Sequence, residues 1–178
     1  MTIAFQGACG AFSHEACLTF APDHDPIARP SFASVVAAVI DGEADLGILP
    51  VENTTAGPVP GVSELLADEA IALLSSHVLP IRVHLLALPG VRFEDITTII
   101  SHPMALAQCA ETLRAIGLPT ESASNTAAAA SALDSRAKAV LASDAAAKAY
   151  GLDIVRRDLH DCPDNATRFS IFGRAGAP

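Results

Sequence analysis

The sequence predicts an α/β fold in two lobes, with largely parallel strand pairing. The first observation is the alternation of short apolar strands with helices along most of the chain. The second is a pair of long extended segments, near residues 77–90 and 154–160, where extended chain replaces loops. Two such crossings indicate that the chain leaves one lobe, builds a second and returns. We expect lobe 1 at about 1–78 plus 158–178, and lobe 2 at about 79–157.

Lobe 1 is predicted from apolar patterns and from helix-boundary residues. Ser13 is a plausible N-cap for the first helix, and Gly42 is a plausible C-cap for the second. The last strand alternates bulky and small side chains, as a half-buried strand does. The predicted strands are Thr2–Gln6, Ala44–Leu49 and Phe169–Gly173; the helices are 13–20, Ser34–Asp41 and Val62–Ala67; and Pro50–Gly61 is a loop.

Lobe 2 is predicted from buried strands that pass directly into helices. Gly117 and Gly151 follow two of these helices, where a C-terminal glycine is common. The predicted strands are Thr97–Ile100, Thr120–Ala123 and Ala139–Ala142; the helices are Pro103–Ile116, 125–133 and Ser143–Tyr150; and the long extended segments are His77–Leu88 and Ile154–Leu159.

Composition narrows the function classes. The chain is 51% hydrophobic, so a sizeable core is available. Aromatic residues make up 4% of it, which argues against stacking platforms for single-stranded nucleic acid. The formal net charge of −9 argues against a phosphate-backbone partner, although a small anionic ligand remains compatible with it.

Cysteine usage and the N-terminus favour a cytoplasmic protein. The four cysteines form no CxxC pair and indicate free thiols in a reducing compartment. The N-terminal MTIAFQGACG lacks the basic and apolar segments of a signal peptide. No run of 18 apolar residues occurs, so we expect no membrane span.

Hydroxyl or amide residues lie where three strands of lobe 2 pass into helices. They are Ser101, the Ser124–Asn125–Thr126 segment, and Ser143. One interpretation is that each is an ordinary helix cap. The other is an anion site, because parallel strands would bring the helix N-termini to one edge of the sheet. At the third helix, Asp144 follows Ser143 and its negative charge already interacts with the positive end of the helix dipole, which weakens the anion-site interpretation there.

The loop after the ADLGIL strand carries polar residues that could face a ligand. Asn53, Thr54 and Thr55 follow one another there, and an ordinary Asx or Thr turn is the alternative interpretation. Glu52 is a candidate acid or base, but a structural role in holding the loop is favoured.

Six phrases along the chain resemble the prephenate dehydratase family. They are GACGAFSHEA (7–16), GEADLGILPVENTTAG (42–57), SHPMALAQC (101–109), SNTAAAA (124–130), AVLASDAAAKAYGL (139–152) and NATRF (165–169). They follow the family's order and span nearly the whole chain, and on them the chain is identified as a member.

The resemblance implies two α/β lobes like a type 2 periplasmic binding protein, with the active site in the cleft between them. It also implies conversion of prephenate to phenylpyruvate, with loss of water and carbon dioxide and with no metal or organic cofactor. Thr167 corresponds to the family's main catalytic residue. Asn53, Ser101 and Gln108 match further catalytic positions.

Substrate contacts are expected at the remaining polar positions of these motifs and at two neighbours of Thr167. The expected contacts are Thr54, Thr55, Asn125, Thr126, Ser143, Arg168 and Phe169. Side chains alternate along a strand, so Arg168 should face away from Thr167 and Phe169. Arg168 therefore has two interpretations, a substrate carboxylate contact or an ion pair with Asp164 or Glu52. Phe169 either walls the substrate ring or fills the core.

The chain departs from the family in two ways. Met104 stands where the family often has Gln, and the sequence stops after FGRAGAP, without the phenylalanine-binding ACT domain of many members. We therefore expect one catalytic domain over 1–178. We also expect a homodimer, because members of the family commonly associate. Arogenate dehydratase, or a non-catalytic protein that binds a small acid, are the alternative functions.

Overall fold

The computed structural model describes residues 1–123 and 126–176, without the side chains of 126–128. The chain divides into two compact units. Unit 1 comprises Met1–Ala8, Phe12–Ile81 and Asp164–Pro178, and unit 2 comprises Cys9–Ala11 and Arg82–Pro163. Each unit contains its own sheet and helices, which confirms the predicted two-lobed α/β class.

The elements follow in chain order. Up to residue 80 they are β1 Thr2–Gln6, α1 Phe12–Phe20, β2 Asp25–Arg29, α2 Phe32–Ile40, β3 Leu46–Asn53, β4 Gly57–Pro58, α3 Val62–Leu66 and β5 Ile71–Pro80. The later ones are β6 His84–Ala87, β7 Thr98–Ser101, α4 Pro103–Gln108, α5 Ala110–Ile116, β8 Thr120–Ser122, α6 Thr126–Ser131, β9 Lys138–Ala142, α7 Asp144–Tyr150, β10 Asp153–Arg156 and β11 Ala166–Arg174. A 3₁₀ turn spans Phe93–Asp95.

The sheet of unit 1 is mixed rather than largely parallel. Its strand order is β2-β1-β3-β11-β5, with β4 beside β3. β1 runs parallel to β2 and β3, but β11 is antiparallel to both of its neighbours, β3 and β5. The ring of Phe172 on β11 lies over Gly47 on β3, where a Cβ would collide with it. This glycine therefore lets the two strands pack closely.

The sheet of unit 2 is also mixed. Its order is β10-β6-β9-β7-β8, with β7 parallel to β8 and β9, and with β6 antiparallel to β9 and β10. Alanines of α6 and α7 pack against Leu86 and Val140 of its core. At Gly10, with φ +85°, a Cβ would lie 2.8 Å from the Cα of Ala146. That spacing explains a glycine at this position.

The structure differs in detail from the predicted elements. The extended segment predicted at His77–Leu88 is the end of β5 and the separate strand β6. The loop predicted at Pro50–Gly61 is partly strand, because β3 continues to Asn53 and pairs with β4 and β11. β2 was missed, because its sequence DPIAR contains a proline and two charges, which an edge strand tolerates. The predicted helix Pro103–Ile116 is two helices, which meet at Cys109.

Candidate active site

Thr167 and Asn53 face each other across the β3–β11 pair. The register pairs the two residues directly, and Asn53 Nδ2 donates a hydrogen bond to Thr167 Oγ1 at 2.9 Å. The threonine is 8% exposed, so water competes weakly for this contact. The residues that the family resemblance singled out in unit 1 are therefore in direct contact.

The Asn53 amide has a fixed orientation. Its Oδ1 accepts from the backbone N–H of Thr55 at 2.9 Å, from the N–H of Ala56 at 3.0 Å and from the Thr55 hydroxyl at 2.6 Å. Backbone N–H groups only donate, so the atom facing them is the oxygen. The amide nitrogen must then point toward β11.

Asn53 Nδ2 is shared among three acceptors on the segment that opens β11. They are Asn165 Oδ1 at 2.9 Å, Thr167 Oγ1 at 2.9 Å and the carbonyl oxygen of Ala166 at 3.1 Å. The amide has two hydrogens, and the two side-chain acceptors are the nearer ones. Because Thr167 Oγ1 accepts here, its own hydrogen is directed elsewhere. Within residues 1–123 and 126–176, no protein acceptor takes that hydrogen.

Thr54 fastens the same segment to β3. Its N–H donates to the carbonyl of Ala166 at 2.9 Å, and its hydroxyl donates to the carbonyl of Asp164 at 3.1 Å while accepting from the Ala166 N–H at 3.0 Å. The carbonyl of Asn165 accepts from the N–H of Ile81 at 2.8 Å. Hydrogen bonds to Thr54 and Ile81 thus hold the backbone of the three residues that precede Thr167.

The neighbours of Thr167 differ in exposure. Arg168 is exposed and donates to Glu52 Oε2 at 3.0 Å, which is one of the two pairings considered from the sequence. Phe169 is 1% exposed and lies in the core of unit 1. Substrate contact by either side chain stays a prediction.

Ser101 and Gln108 lie in unit 2, at the end of β7 and the end of α4. Ser101 is fully buried and its hydroxyl donates to the carbonyl of Leu141 at 2.9 Å. The expectation that Ser101 caps the helix was wrong, because His102 is the N-cap and its Nδ1 accepts from the N–H of Met104. Gln108 is half-buried, and its backbone carbonyl accepts from the N–H of Asp161 at 2.8 Å.

Of the other two helix starts, one is confirmed as a cap. Ser143 caps α7, accepting from the N–H of Ala146 at 3.1 Å and donating to the carbonyl of Gly10 at 2.8 Å. Asn125 lies outside the described residues. Thr126 opens α6, but its side chain is not described. A substrate contact by the Ser143 hydroxyl would therefore require it to exchange a present partner, and the anion site stays a prediction.

The cysteine thiols are poor nucleophiles where they are buried. Burial raises the pKa of Cys17 and of Cys109 to about 12, so both stay protonated near neutral pH. Cys109 additionally feels the negative charge of Asp161. The raised pKa of Cys109 therefore argues against this thiol as a nucleophile.

The part of the chain that the structure describes offers neither a metal site nor a membrane-spanning helix. There, no group of three or more His, Cys, Asp or Glu side chains could hold a metal ion. In the same part of the chain, no helix has the length and apolar character needed to cross a membrane.

One site residue was missed by the sequence reasoning. Asn165 belongs to the NATRF phrase but was not proposed as functional, although its side chain is 2% exposed and contacts Asn53. The sequence feature that could have indicated it is an asparagine directly before the last strand, but an asparagine at that position is equally typical of an ordinary turn. That the active site lies between the two lobes stays a prediction.

Comparison with known proteins identifies the family of the chain. A family model described as "Prephenate dehydratase" matches residues 3–177. An Arabidopsis thaliana protein, arogenate dehydratase/prephenate dehydratase 1, is 37% identical over 175 residues, covering 97% of this chain and 45% of that protein. A bifunctional N-acyl-homoserine lactone acylase/prephenate dehydratase of Komagataeibacter europaeus is 36% identical, covering 98% of this chain and 63% of that protein.

Similarity to solved structures supports the two-lobed fold. A prephenate dehydratase from Arthrobacter aurescens, in complex with L-Phe, superimposes with a TM-score of 0.87 at 30% identity, over 99% of this chain and 61% of that one. A periplasmic substrate-binding protein of an ABC transporter from Coxiella burnetii reaches 0.50 at 12% identity, over 98% and 85%, and shows fold likeness alone. The chain spans about half the length of the plant relative. Because the family model matches residues 3–177, nearly the whole chain, the chain belongs to the prephenate dehydratase family.

Proposed function

We propose that the chain is a prephenate dehydratase, a lyase that converts prephenate to phenylpyruvate in phenylalanine biosynthesis. The observation that carries the proposal is the Thr167 hydroxyl, which accepts from Asn53 and keeps its own hydrogen for a ligand. Membership of the family supports the reaction class. The preference for prephenate, and the activity of the whole protein, are parts of the proposal.

The reaction needs a hydrogen-bond donor rather than a strong nucleophile. The C–C bond to the ring carboxylate breaks and releases carbon dioxide, and its electron pair completes the aromatic ring. The C–O bond breaks at the same time, and the departing oxygen leaves as hydroxide that takes a proton from solvent. A donor at that oxygen stabilises the developing charge, an effect typically of roughly 10²–10⁴-fold.

Thr167 suits this task better than the other hydroxyls of the predicted site whose side chains the structure describes. The hydroxyls of Thr55, Ser101 and Ser143 each donate to an oxygen of the protein, so they have no free hydrogen for a substrate. The same holds for Thr54, which donates to the carbonyl of Asp164. Their roles in binding substrate would require an exchange of partners, whereas Thr167 requires none.

The other predicted roles are retained as proposals. We assign Asn53 to the orientation of Thr167, and Ser101 and Gln108 to further catalytic contacts. The proposed substrate contacts remain Thr54, Thr55, Asn125, Thr126, Ser143 and Phe169. Arg168 keeps both of its interpretations, a substrate carboxylate contact and the ion pair with Glu52, and we favour the ion pair. A homodimer and a cytoplasmic location likewise stay predictions.

Arogenate is the second candidate substrate. It differs from prephenate by an amino group in place of the side-chain keto group, far from the oxygen that leaves. The plant relative carries both activities in its name, which favours testing the two acids together. The name of the Komagataeibacter relative adds N-acyl-homoserine lactones to the substrates worth testing.

A substrate panel tests the proposal. The purified chain is given prephenate, arogenate or an N-acyl-homoserine lactone near neutral pH. Products are separated and quantified by chromatography, with a no-enzyme control because prephenate also reacts spontaneously. We expect phenylpyruvate from prephenate at the highest kcat/KM. Turnover of arogenate alone would replace the substrate assignment, and binding of prephenate without turnover would favour a non-catalytic acid-binding protein.

A further inference from the structure

The amide of Asn165 has one partner and one free donor in a buried position. Its Oδ1 accepts from Asn53 Nδ2 at 2.9 Å, and the side chain is 2% exposed. Its Nδ2 is buried, and within residues 1–123 and 126–176 no hydrogen-bond partner takes it. Unpaired buried donors are rare and costly, and they mark places where a ligand or a water completes the pairing.

Turning the Asn165 amide over does not remove the unpaired donor. The Asn53 amide is fixed by the two backbone N–H groups on its oxygen, so it presents N–H groups to Asn165. A flipped Asn165 would place its own NH₂ against that donor. The observed orientation is therefore the one that the network requires.

Rearrangement of the backbone is no easier. On one side of Asn165, the Asp164 carbonyl accepts from the Thr54 hydroxyl, and on the other side Ala166 is bonded to Thr54 through both its N–H and its carbonyl. The carbonyl of Asn165 itself accepts from the N–H of Ile81. The free N–H group is thus held by the fold and is not left over from a loose turn.

Asn165 and Thr167 are linked through one nitrogen atom. Asn53 Nδ2 donates to both, at 2.9 Å each, so the Asn165 amide and the Thr167 hydroxyl lie two hydrogen bonds apart. Each of them has an unused donor. Two donors held this close suit a single oxygen that gains negative charge, as in an oxyanion hole.

We propose that Asn165 Nδ2 is a second donor to the oxygen that leaves the substrate ring, beside Thr167. The inference rests on the proposed function and assigns a substrate-contacting role to a residue outside the predicted site. As the C–O bond breaks, its electron pair goes to the departing oxygen, and the two N–H and O–H donors share that charge. Solvent supplies the proton that makes the product water.

The first test follows the Asn165 side-chain amide by NMR in the ¹⁵N-labelled Thr167→Val protein, in which turnover is slow. Prephenate carries the leaving oxygen and phenylpyruvate lacks it. We expect prephenate to shift the Asn165 Nδ2 resonances and phenylpyruvate to shift them much less, although both bind. Equal shifts, or no shift while other resonances report binding, would overturn the inference. Failure of both acids to bind would count against the proposed function instead.

The second test is kinetic and uses Asn165→Asp. This change keeps the size and the acceptor for Asn53 but removes the donor. We expect kcat for prephenate to fall at least about tenfold, with KM little changed, since the contact strengthens as charge develops. Ser170→Ala, a buried polar change on the same strand, serves as the control and should keep kcat. A folded Asn165→Asp protein with the wild-type kcat would contradict the inference; if it does not fold, the NMR comparison decides.

Discussion

Arg168 is the residue of the predicted site whose role is least determined, because it forms an exposed ion pair with Glu52 beside Thr167. The two side chains are 44% and 50% exposed and lie 3.0 Å apart. Exposed pairs of this kind are usually worth about 0–1 kcal/mol, because solvent screens them and two long side chains must be ordered. Arg168 also follows Thr167 directly on β11, where alternation turns it away from the Thr167 face.

A double-mutant cycle decides between an ion pair and a substrate contact. With Arg168→Gln, Glu52→Gln and the combined variant, we expect a coupling energy of about 0.2–1 kcal/mol in urea unfolding. KM for prephenate should change by less than about fivefold, the factor that 1 kcal/mol represents. Arg29→Gln, which removes another arginine of unit 1, is the control. A much larger rise in KM for Arg168→Gln alone would assign Arg168 to the substrate.

At single positions, the sequence could identify residue types but not their partners. It placed Thr167 and Asn53 in one site through motifs 114 positions apart, and the structure puts them in contact. The sequence did not predict Asn165, because its proposed role rests on an unpaired side-chain nitrogen. Whether an atom is paired depends on its tertiary neighbours, which the sequence pattern does not show. Ser101 was assigned to a helix cap because the pattern cannot distinguish a cap from the residue before it.

At the scale of elements, helices α4 and α5 meet at Cys109, and the carboxylate of Asp161, distant in sequence, caps the N-terminus of α5. Asp161 accepts from the N–H groups of Glu111 and Thr112 at 2.8 and 2.9 Å, and from the Thr112 hydroxyl at 2.8 Å. These are N–H groups of the first turn of α5, which lack partners within the helix. Burial alone would raise the Asp161 pKa, but these hydrogen bonds hold it below its ordinary value of 3.8.

Asp161→Ala should therefore destabilise the protein in a pH-dependent way. A lowered pKa in the folded state means that the stabilisation is present above the unfolded value of about 3.8–3.9 and is lost as pH falls through the folded value. We expect a loss of roughly 0.5–1 kcal/mol at pH 7, because the side chain is exposed. Urea unfolding at pH 7 and at lower pH measures it.

The matched control for this change is Asp134→Ala, since Asp134 is likewise exposed. Its stability should follow that of the wild type at both pH values. A pH-independent loss in Asp161→Ala would show that the carboxylate charge is not what caps α5.

Element prediction worked where the local pattern agreed with the tertiary structure. β1 matches its prediction, and α7 has the predicted N-cap and C-cap glycine, because apolar runs and capping residues lie within one segment. β3 was predicted too short, because Pro50–Asn53 looks like a loop and becomes strand only through pairing with β4 and β11. Antiparallel insertion of β11 was unpredictable for the same reason: strand order depends on partners far along the chain.

For the whole molecule, the sequence predicted class and family better than topology. The two lobes were predicted from the extended segments. In the structure, unit 2 comprises Cys9–Ala11 and Arg82–Pro163. The low aromatic content and the net charge of −9 argued against a nucleic-acid partner but could not indicate which small acid is the substrate. The proposed function therefore depends on a few side chains of unit 1, above all on Thr167 and on its hydrogen bond from Asn53.

The most direct test of that dependence compares prephenate turnover by Thr167→Val, Thr167→Ser and the wild type. Valine keeps the shape without a donor, and serine keeps the hydroxyl. We predict a loss in kcat of roughly 10²–10⁴-fold for valine and a much smaller loss for serine, with both variants folded by circular dichroism. Wild-type kcat in the folded Thr167→Val protein would contradict the account.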